Sequence, residues 1–430
     1  MNHFQELYLQ KKTDLQGCLD LIRSGDNICF AGGCNQPVGF MTEFHTVAPR
    51  VEGVECIKSR SGNYKFVTEA GMNGHINTGS SLYGEAFNEG MKHGNTSHIV
   101  ADMCDYSTFI SAYKPCNTFI AAVTPMDENG NFQVGLSLQW EKESIATCDK
   151  IILEVNENLF RVDGGLEINI ADVTALHEDT HPLPEIAESP ATAVESTIAD
   201  YIAEIVSDGD CLELGTGTLS NVIAERLMDH RELGLHTEWF NPGVGALLEA
   251  GIVTGAHKNI DKGLSVASAA WGDRRLYRAM AEKPGIAIRP ASYVCDPKVI
   301  SNMNNMIAIN TLIQMDLTGQ VCTESIGNRQ VSGSAGNLCF SLGAMHSNGG
   351  KSILCFPSMT AKGISKIQAE LTQGSAVTIP RNYVDYIITE YGVARMKGRS
   401  VKSRVEQLIR IAHPSVREEL TFYAKKQFFI

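Results

Sequence analysis

No stretch of the 430-residue chain reaches the 18 or so consecutive apolar residues that a membrane-spanning helix needs. The opening MNHFQELYLQKKTD likewise lacks the apolar core of a secretion signal. Neither membrane insertion nor secretion is expected, and a cytoplasmic location is. Basic residues are in deficit, with 36 Lys and Arg against 49 Asp and Glu and a formal charge of −13. Nucleic-acid phosphates call for a basic footprint, so no nucleic-acid partner is expected, although a local basic pocket for a phosphorylated small molecule stays open. The 12 cysteines, among them Cys29, Cys34, Cys104, Cys148 and Cys355, contain no Cys-x-x-Cys pair. That spacing argues against a disulfide framework and for free buried thiols in a reducing compartment.

What is present is a regular alternation of strand and helix signals. DNICFAG (26 to 32), NTFIAAVTP (117 to 125) and DKIILEVN (149 to 156) are short, apolar, β-rich runs bounded by turn residues, as expected for strands buried on both faces. Between them LQGCLDLIRSG places Leu15, Cys18, Leu19 and Ile22 on one helical face. LHEDTHPLPEIAESPAT (176 to 192), with three prolines and four acidic residues, is the expected linker. After it ATAVESTIADYIAEIVSDGD reads as an amphipathic helix, and strand–helix alternation resumes with CLELG, GIAIRPASYV, KSILCFP and VDYIITE. The chain length fits two domains of roughly 200 residues. Two α/β domains, 1–188 and 189–430, are predicted. The resumption at SDGD echoes SGDNICFAGG (24 to 33), an indication that the two are related copies.

Four segments carry potential chemistry. LELGTGTLSNVIAERLM (212 to 228) reads as a strand, a Gly-x-Gly turn and a helix capped by Ser220, whose backbone N–H groups could bind an anion or serve only as a turn. No Lys follows to make a P-loop, and a dinucleotide fingerprint is not met. HEDTH (177 to 181) sets two histidines four apart, a metal-like spacing on a helix, but its acidic, Pro-rich surroundings point to a solvated linker. RQVSGSAGNLCFSLGA (329 to 344) is glycine-rich enough for close backbone approach to a ligand or for tight packing, and PSMTAKGISKI (357 to 367) offers Lys362 as a phosphate contact or a surface lysine. Glu238 lies in LHTEWF, ahead of a run rich in Gly, Ala and aliphatics. A carboxylate there either faces water or occupies a closed pocket, where its charge is costly unless something uses it. Strand alternation would put His236 on the same face, as a hydrogen-bond partner of that carboxylate or a packed, satisfied histidine.

In their order, these segments resemble the acetyl-CoA hydrolase/transferase family, and within it the short-chain acyl-CoA:carboxylate CoA-transferases such as the 4-hydroxybutyrate and butyrate enzymes. The resemblance spans the chain: TPMDENGNFQVGLSLQW and CDKIILEVNENLFRVDG in the first half, then GTGTLSNVI, LHTEWF, IAINTLIQMDLTGQVCTESIG, RNYVDYIITEYGVARMKGRS and IAHPSVREEL. Departures fall at AGNLCF, where Ala335, Asn337 and Cys339 replace Gly, Gln and Asp, at Cys295 in place of Asn, and at Ser220 in place of a turn proline. The resemblance implies two open, mostly parallel-sheet α/β domains of the CoA-transferase (NagB/RpiA-like) type, with the active site in the cleft between them. It implies Glu238 as catalytic nucleophile in a ping-pong transfer through a glutamyl-CoA thioester, with CoA a substrate and neither cofactor nor metal needed. Gly215, Thr216, Gly217, Thr218, Leu219, Gly336, Asn337 and Lys362 are expected at the CoA site. Gln36 and Asn63, in the segment SRSGNY, are expected at the acyl pocket. The acids expected are acetate, butyrate or 4-hydroxybutyrate, and the assembly a homodimer or homotetramer. An acyl-CoA hydrolase using the same glutamate, or a catalytically weakened acyl-CoA-binding relative, are the alternatives.

Overall fold

The computed structural model describes residues 2–58, 62–187, 189–427 and 429–430. Its first sheet has seven strands: β1 (Asn27–Phe30), β2 (Val54–Ile57), β3 (Ile76–Ser80), β4 (Thr96–His98), β5 (Thr118–Val123), β6 (Lys150–Val155) and β7 (Ala175–Glu178). They lie in the order β4-β3-β2-β1-β5-β6-β7, and all six pairings are parallel. β1 and β5 are buried at every position, as the continuous apolar runs require. Helix α1 (His3–Lys11) precedes them, and α2 (Val38–Glu43) follows β1 with Phe40 and Met41 turned into the core. That core stacks Phe30, Phe40, Phe44 and Phe66 at ring separations of 5.1–6.1 Å.

Helix α3 (Ala193–Ile205) opens the second half. Thr192 and Glu195 form a reciprocal cap at its N-terminus, and Ile198, Ala199 and Ile202 are its buried stripe. The second sheet contains β8 (Cys211–Leu214), β9 (Gly234–Phe240), β10 (Ser265–Ala270), β11 (Ile286–Ile288), β12 (Met306–Asn310), β13 (Lys351–Cys355), β14 (Tyr386–Thr389) and β15 (Gly392–Arg395). Its order is β11-β10-β9-β8-β12-β13-β14-β15, closing with the antiparallel pair β14–β15. In each sheet the chain builds outward from the first strand through three neighbours, then crosses to the other side with the fifth. The shared order gives the echo between SGD and SDGD a structural counterpart.

The chain divides into two compact units, residues 1–185 with 268–271 and 280–293, and residues 186–267 with 272–279 and 294–430. The two short stretches counted with the first unit depart from a single break at 188, and residue 188 itself lies outside the described residues. The expected linker also begins later than its composition suggests, because Leu176, His177 and Glu178 belong to β7. None of the 12 cysteines forms a disulfide, and ten are buried. Among the described residues no helix is long and apolar enough to cross a membrane.

Candidate active site

In the second unit the sheet order reverses between β8 and β12, so two chains leave in opposite directions at the C-terminal ends of these strands. Open α/β sheets bind ligands at such a point. Here β8 runs into the Gly-x-Gly turn. Gly217 has φ +115, a conformation that favours glycine, and helix α4 (Thr218–Arg226) starts directly after it. Gly217 is therefore the cap residue, and Ser220 lies buried within the helix instead of capping it. Thr216 and Gly217 are exposed, while Gly215, Thr218 and Leu219 are half-buried. The turn is fixed from behind by Asn241. Its Nδ2 donates to the Gly215 carbonyl at 2.8 Å, and its Oδ1 caps helix α5 (Pro242–Glu249) by accepting from Val244 N–H at 2.9 Å.

Glu238 lies on β9 and is only 7% exposed. Its Oε2 accepts the Gly336 N–H at 2.7 Å and its Oε1 accepts the Trp239 Nε1–H at 3.0 Å. Gly336 is the cap position of helix α6 (Asn337–His346), so the carboxylate faces the positive end of a ten-residue helix. A side chain is excluded at 336: a Cβ there would lie 2.6 Å from Glu238 Oε2 and 3.0 Å from the Phe340 ring. The preceding Ala335 bends the loop into place with φ +48, in the left-handed region. Asn337 donates to the Ser334 carbonyl at 2.8 Å and thereby closes the loop.

Two further groups shape the electrostatics. His236 is fully buried, and its Nε2–H donates to the Val294 carbonyl at 2.8 Å. Burial, reinforced by Lys258, lowers its pKa to about 4, which makes it a neutral imidazole packed near Phe340. Glu213 on β8 accepts from the Ile309 N–H at 3.1 Å and from Asn310 Nδ2 at 2.7 Å. Burial first, and the charge of Glu238 second, push its carboxyl well above the usual range, which favours the protonated form. Of the residues expected from sequence, Glu238 and Gly336 therefore meet directly, and Asn337 stands at the same helix end. Gly215 approaches through Asn310, since a Cβ on it would lie 3.2 Å from Asn310 Oδ1. Lys362 is exposed on a turn that the Gly363 N–H closes onto the Thr360 carbonyl at 2.9 Å.

In the first unit Gln36 is buried, and its Oε1 lies 3.5 Å from the Tyr64 hydroxyl. Asn63 is exposed, and residues 59–61 of the expected acyl-pocket segment lie outside the described residues. Beside Tyr64 is a group that sequence reasoning missed. Lys58 is fully buried, with Nζ 5.2 Å from the Tyr64 ring centre and 5.4 Å from that of Phe87, and burial lowers its pKa to about 7. Glu213, Trp239 and Asn241 were missed as well. Of these Asn241 had a readable signal, since Asn before Pro at a strand's end marks a helix start.

A buried, doubly hydrogen-bonded carboxylate at a helix N-terminus, beside an open glycine turn at a sheet's switch point, is equipped for acyl transfer from an anionic carrier. Models of the acetyl-CoA hydrolase/transferase N-terminal and C-terminal domains match residues 85–187 and 272–424. The chain belongs to the acetyl-CoA hydrolase/transferase family and is a CoA-transferase. It is 33% identical over 424 residues to the succinyl-CoA:cyclohexane-1-carboxylate CoA transferase of Geobacter metallireducens, covering 98% of this chain and 97% of that one. It is 32% identical over 427 residues to the 4-hydroxybutyrate coenzyme A transferase of Clostridium kluyveri, covering 99% and 100%. Among solved structures, RipA from Yersinia pestis superposes with a TM-score of 0.94 at 31% identity over the full length of both chains.

Proposed function

We propose that this chain moves CoA between a short-chain acyl-CoA and a free carboxylate, with Glu238 as the covalent nucleophile. The observation that carries this reading is the hydrogen-bonded burial of the Glu238 carboxylate. Glu238 Oε1, on the longer of the two bonds, attacks the thioester carbonyl carbon. The C–S bond breaks, CoA leaves as thiolate, and an acyl-glutamyl anhydride remains. The thiolate then attacks Glu238 Cδ, breaking the bond from Cδ to the bridging oxygen. The first acid departs with that oxygen, and the enzyme holds a glutamyl-CoA thioester. A second carboxylate reverses the two steps and restores the glutamate. No proton is gained or lost, and one thioester replaces another, so the exchange is near balance.

The oxygen retained on Cδ is Oε2, and negative charge builds on it when the thiolate attacks. The Gly336 N–H at 2.7 Å is already aimed at it, and one such donor is worth ~3 kcal/mol. CoA lies along the Gly215–Leu219 turn and the start of α6 at Gly336 and Asn337, with Lys362 a contact for its phosphates. The relatives' names point to acids of the succinate, 4-hydroxybutyrate and butyrate type, and acetate, butyrate or 4-hydroxybutyrate are the acceptors to try first. Incubation with acyl-CoA alone should release one equivalent of acid and leave CoA on Glu238, as a hydroxylamine-labile adduct that borohydride reduces to an alcohol. Glu238→Gln should abolish transfer. An adduct on another residue, or transfer by Glu238→Gln at the wild-type rate, would refute the assignment. Rapid acid release with no trapped adduct, in water alone, would point to hydrolysis.

A further inference from the structure

The segment HEDTH does not behave as a solvated linker. β7 pairs in parallel with β6, setting His177 opposite Glu154, and the Asp179 N–H continues the ladder by donating to the Val155 carbonyl at 3.0 Å. The backbone is extended, so alternate side chains share a face. Glu178 points to one side, where Tyr8 and Lys12 of α1 and its flank bind it at 2.7 and 2.6 Å. His177, Asp179 and His181 belong to the other side, with Glu154. The four-residue spacing of the histidines thus brings them to one face through a two-residue period instead of a helical turn.

On that face Glu154 is fully buried and presents one oxygen to each histidine. His181 Nε2 lies 3.3 Å from Oε1, and His177 Nε2 lies 3.3 Å from Oε2. His177 is 4% exposed, and its Nε2 has no hydrogen-bond partner; at 3.3 Å it faces the carboxylate without donating to it in line. Ligand atoms of Glu154, Asp179 and His181 all lie within 4.8 Å of one another. Gly39 leaves room above them: a Cβ there would collide with Asp179 Oδ2 and come 3.0 Å from Glu154 Oε2. The His181 backbone is pinned, its carbonyl accepting from Asn156 Nδ2 at 3.0 Å and from Asn158 Nδ2 at 2.8 Å. The Phe40 N–H holds Glu154 Oε2 at 2.9 Å.

We infer that His177, His181, Glu154 and Asp179 form a binding site for a zinc-like divalent transition-metal ion. Ligands about 2.1 Å from a tetrahedral ion are separated by about 3.4 Å, close to the His181–Glu154 distance; Asp179 need move in by at most about 1.5 Å, and His177, which faces the other oxygen of Glu154 and lies outside the 4.8 Å group, must swing in to complete the set. Two imidazoles with two carboxylates is a donor set for zinc. Calcium or magnesium would ask for more oxygens. Two adjacent carboxylates, one of them wholly buried, are neutralised by a single divalent ion, which removes the cost of leaving their charge unmatched. With four protein ligands the site is closed and structural: it ties the chain leaving β7 to β6 and to the start of α2 and takes no part in transfer.

The test uses the full chain, dialysed against chelator and then titrated with Zn2+ against a chromophoric competitor and separately with Co2+. One tight equivalent per chain is expected, with cobalt absorption between about 500 and 650 nm that marks a tetrahedral site and no thiolate charge-transfer band. His177→Gln and His181→Gln should each weaken zinc binding at least ~100-fold. Circular dichroism and CoA-transfer turnover report whether each variant folds. Should the buried His177→Gln fail to fold, the half-buried Asp179→Asn supplies the same comparison. Absence of a tight equivalent, a thiolate band placing cobalt on cysteine, or unchanged affinity in the folded variants would overturn the proposal.

Discussion

Gly336→Ala tests the proposed site most sharply, because the backbone accepts it and the carboxylate does not. Residue 336 has φ −89 and ψ 6, which alanine adopts without strain. The added Cβ would lie 2.6 Å from Glu238 Oε2, whereas ordinary contact begins at 3.4 Å, and the Phe340 ring 3.0 Å away blocks relaxation on its side. The oxygen must therefore retreat by about 0.8 Å, which stretches its 2.7 Å bond to the Gly336 N–H to about 3.2 Å, the edge of useful length. Loss of one oxyanion donor costs about 100- to 1,000-fold in turnover. Stability should change less. A hydrogen bond to a charged group is worth about 1.5–3 kcal/mol. Against this, the lower unfolded-state entropy of alanine returns about 0.4–1 kcal/mol. Net destabilisation of about 1–2 kcal/mol follows. The assay is CoA transfer from butyryl-CoA to acetate, with kcat and KM resolved and the adduct quantified by mass spectrometry. A folded Gly336→Ala chain with kcat within threefold of wild type would refute the role given to this N–H.

Other perturbations isolate single features. Glu213 keeps its proton in the native chain at pH values where the unfolded chain has lost it, so its burial lowers stability as pH rises from the ordinary carboxyl range. Glu213→Gln should raise the melting temperature more at pH 8 than at pH 5; equal gains would show that Glu213 is not held neutral. Lys58 has the opposite sign: its native pKa is about 7 and its unfolded one 10.5, so stability rises with pH between them. Lys58→Met should stabilise most below pH 7, with the gain shrinking in urea melts at pH 9, and a gain independent of pH would contradict the shift. Ala335→Gly should relieve a left-handed alanine worth about 1 kcal/mol and raise the melting temperature by about 2 °C, whereas a lower midpoint would show no strain there.

The strand–helix alternation was readable because β1 and β5 are buried on both faces and carry apolar runs. Glu238 was singled out through the surrounding order of motifs, and the structure buries it against Gly336. Its partners were not, for physical reasons. Alternation along β9 assigns Trp239 to the opposite face, yet its indole is long enough to return to Glu238 Oε1. Glu213 lies in a strand buried throughout, where no polar stripe distinguishes a chemical residue from a structural one. HEDTH was misread as a solvated linker because of its acidic, Pro-rich surroundings, whereas its first two residues close β7 and pair with β6. The cap lies three residues ahead of Ser220, at Gly217, because a glycine at φ +115 can turn the chain without a capping side chain.

The duplicated topology bears on why the CoA site is proposed on the second half. Each sheet has a switch point after its first strand, and each is followed by glycines, Gly32 and Gly33 after β1, Gly215 and Gly217 after β8. Both turns could offer backbone N–H groups to an anion. The first is already filled from within the protein. The Gly32 N–H donates to Glu141 Oε1 at 2.8 Å, and that carboxyl also accepts from Ser137 at 2.7 Å and from the Trp140 N–H at 2.9 Å. A Cβ on Gly32 would touch the Trp140 ring at 3.2 Å, which leaves no room for a ligand. At the second turn a Cβ on Gly217 would meet nothing within 4 Å, and Thr216 and Gly217 are exposed. Of two turns built to one plan, the first has become an internal hydrogen-bonding site and the second keeps its surface open. Of the two, the second has both the open surface for a pantetheine or phosphate group and, one strand away, the buried carboxylate proposed to receive the acyl group.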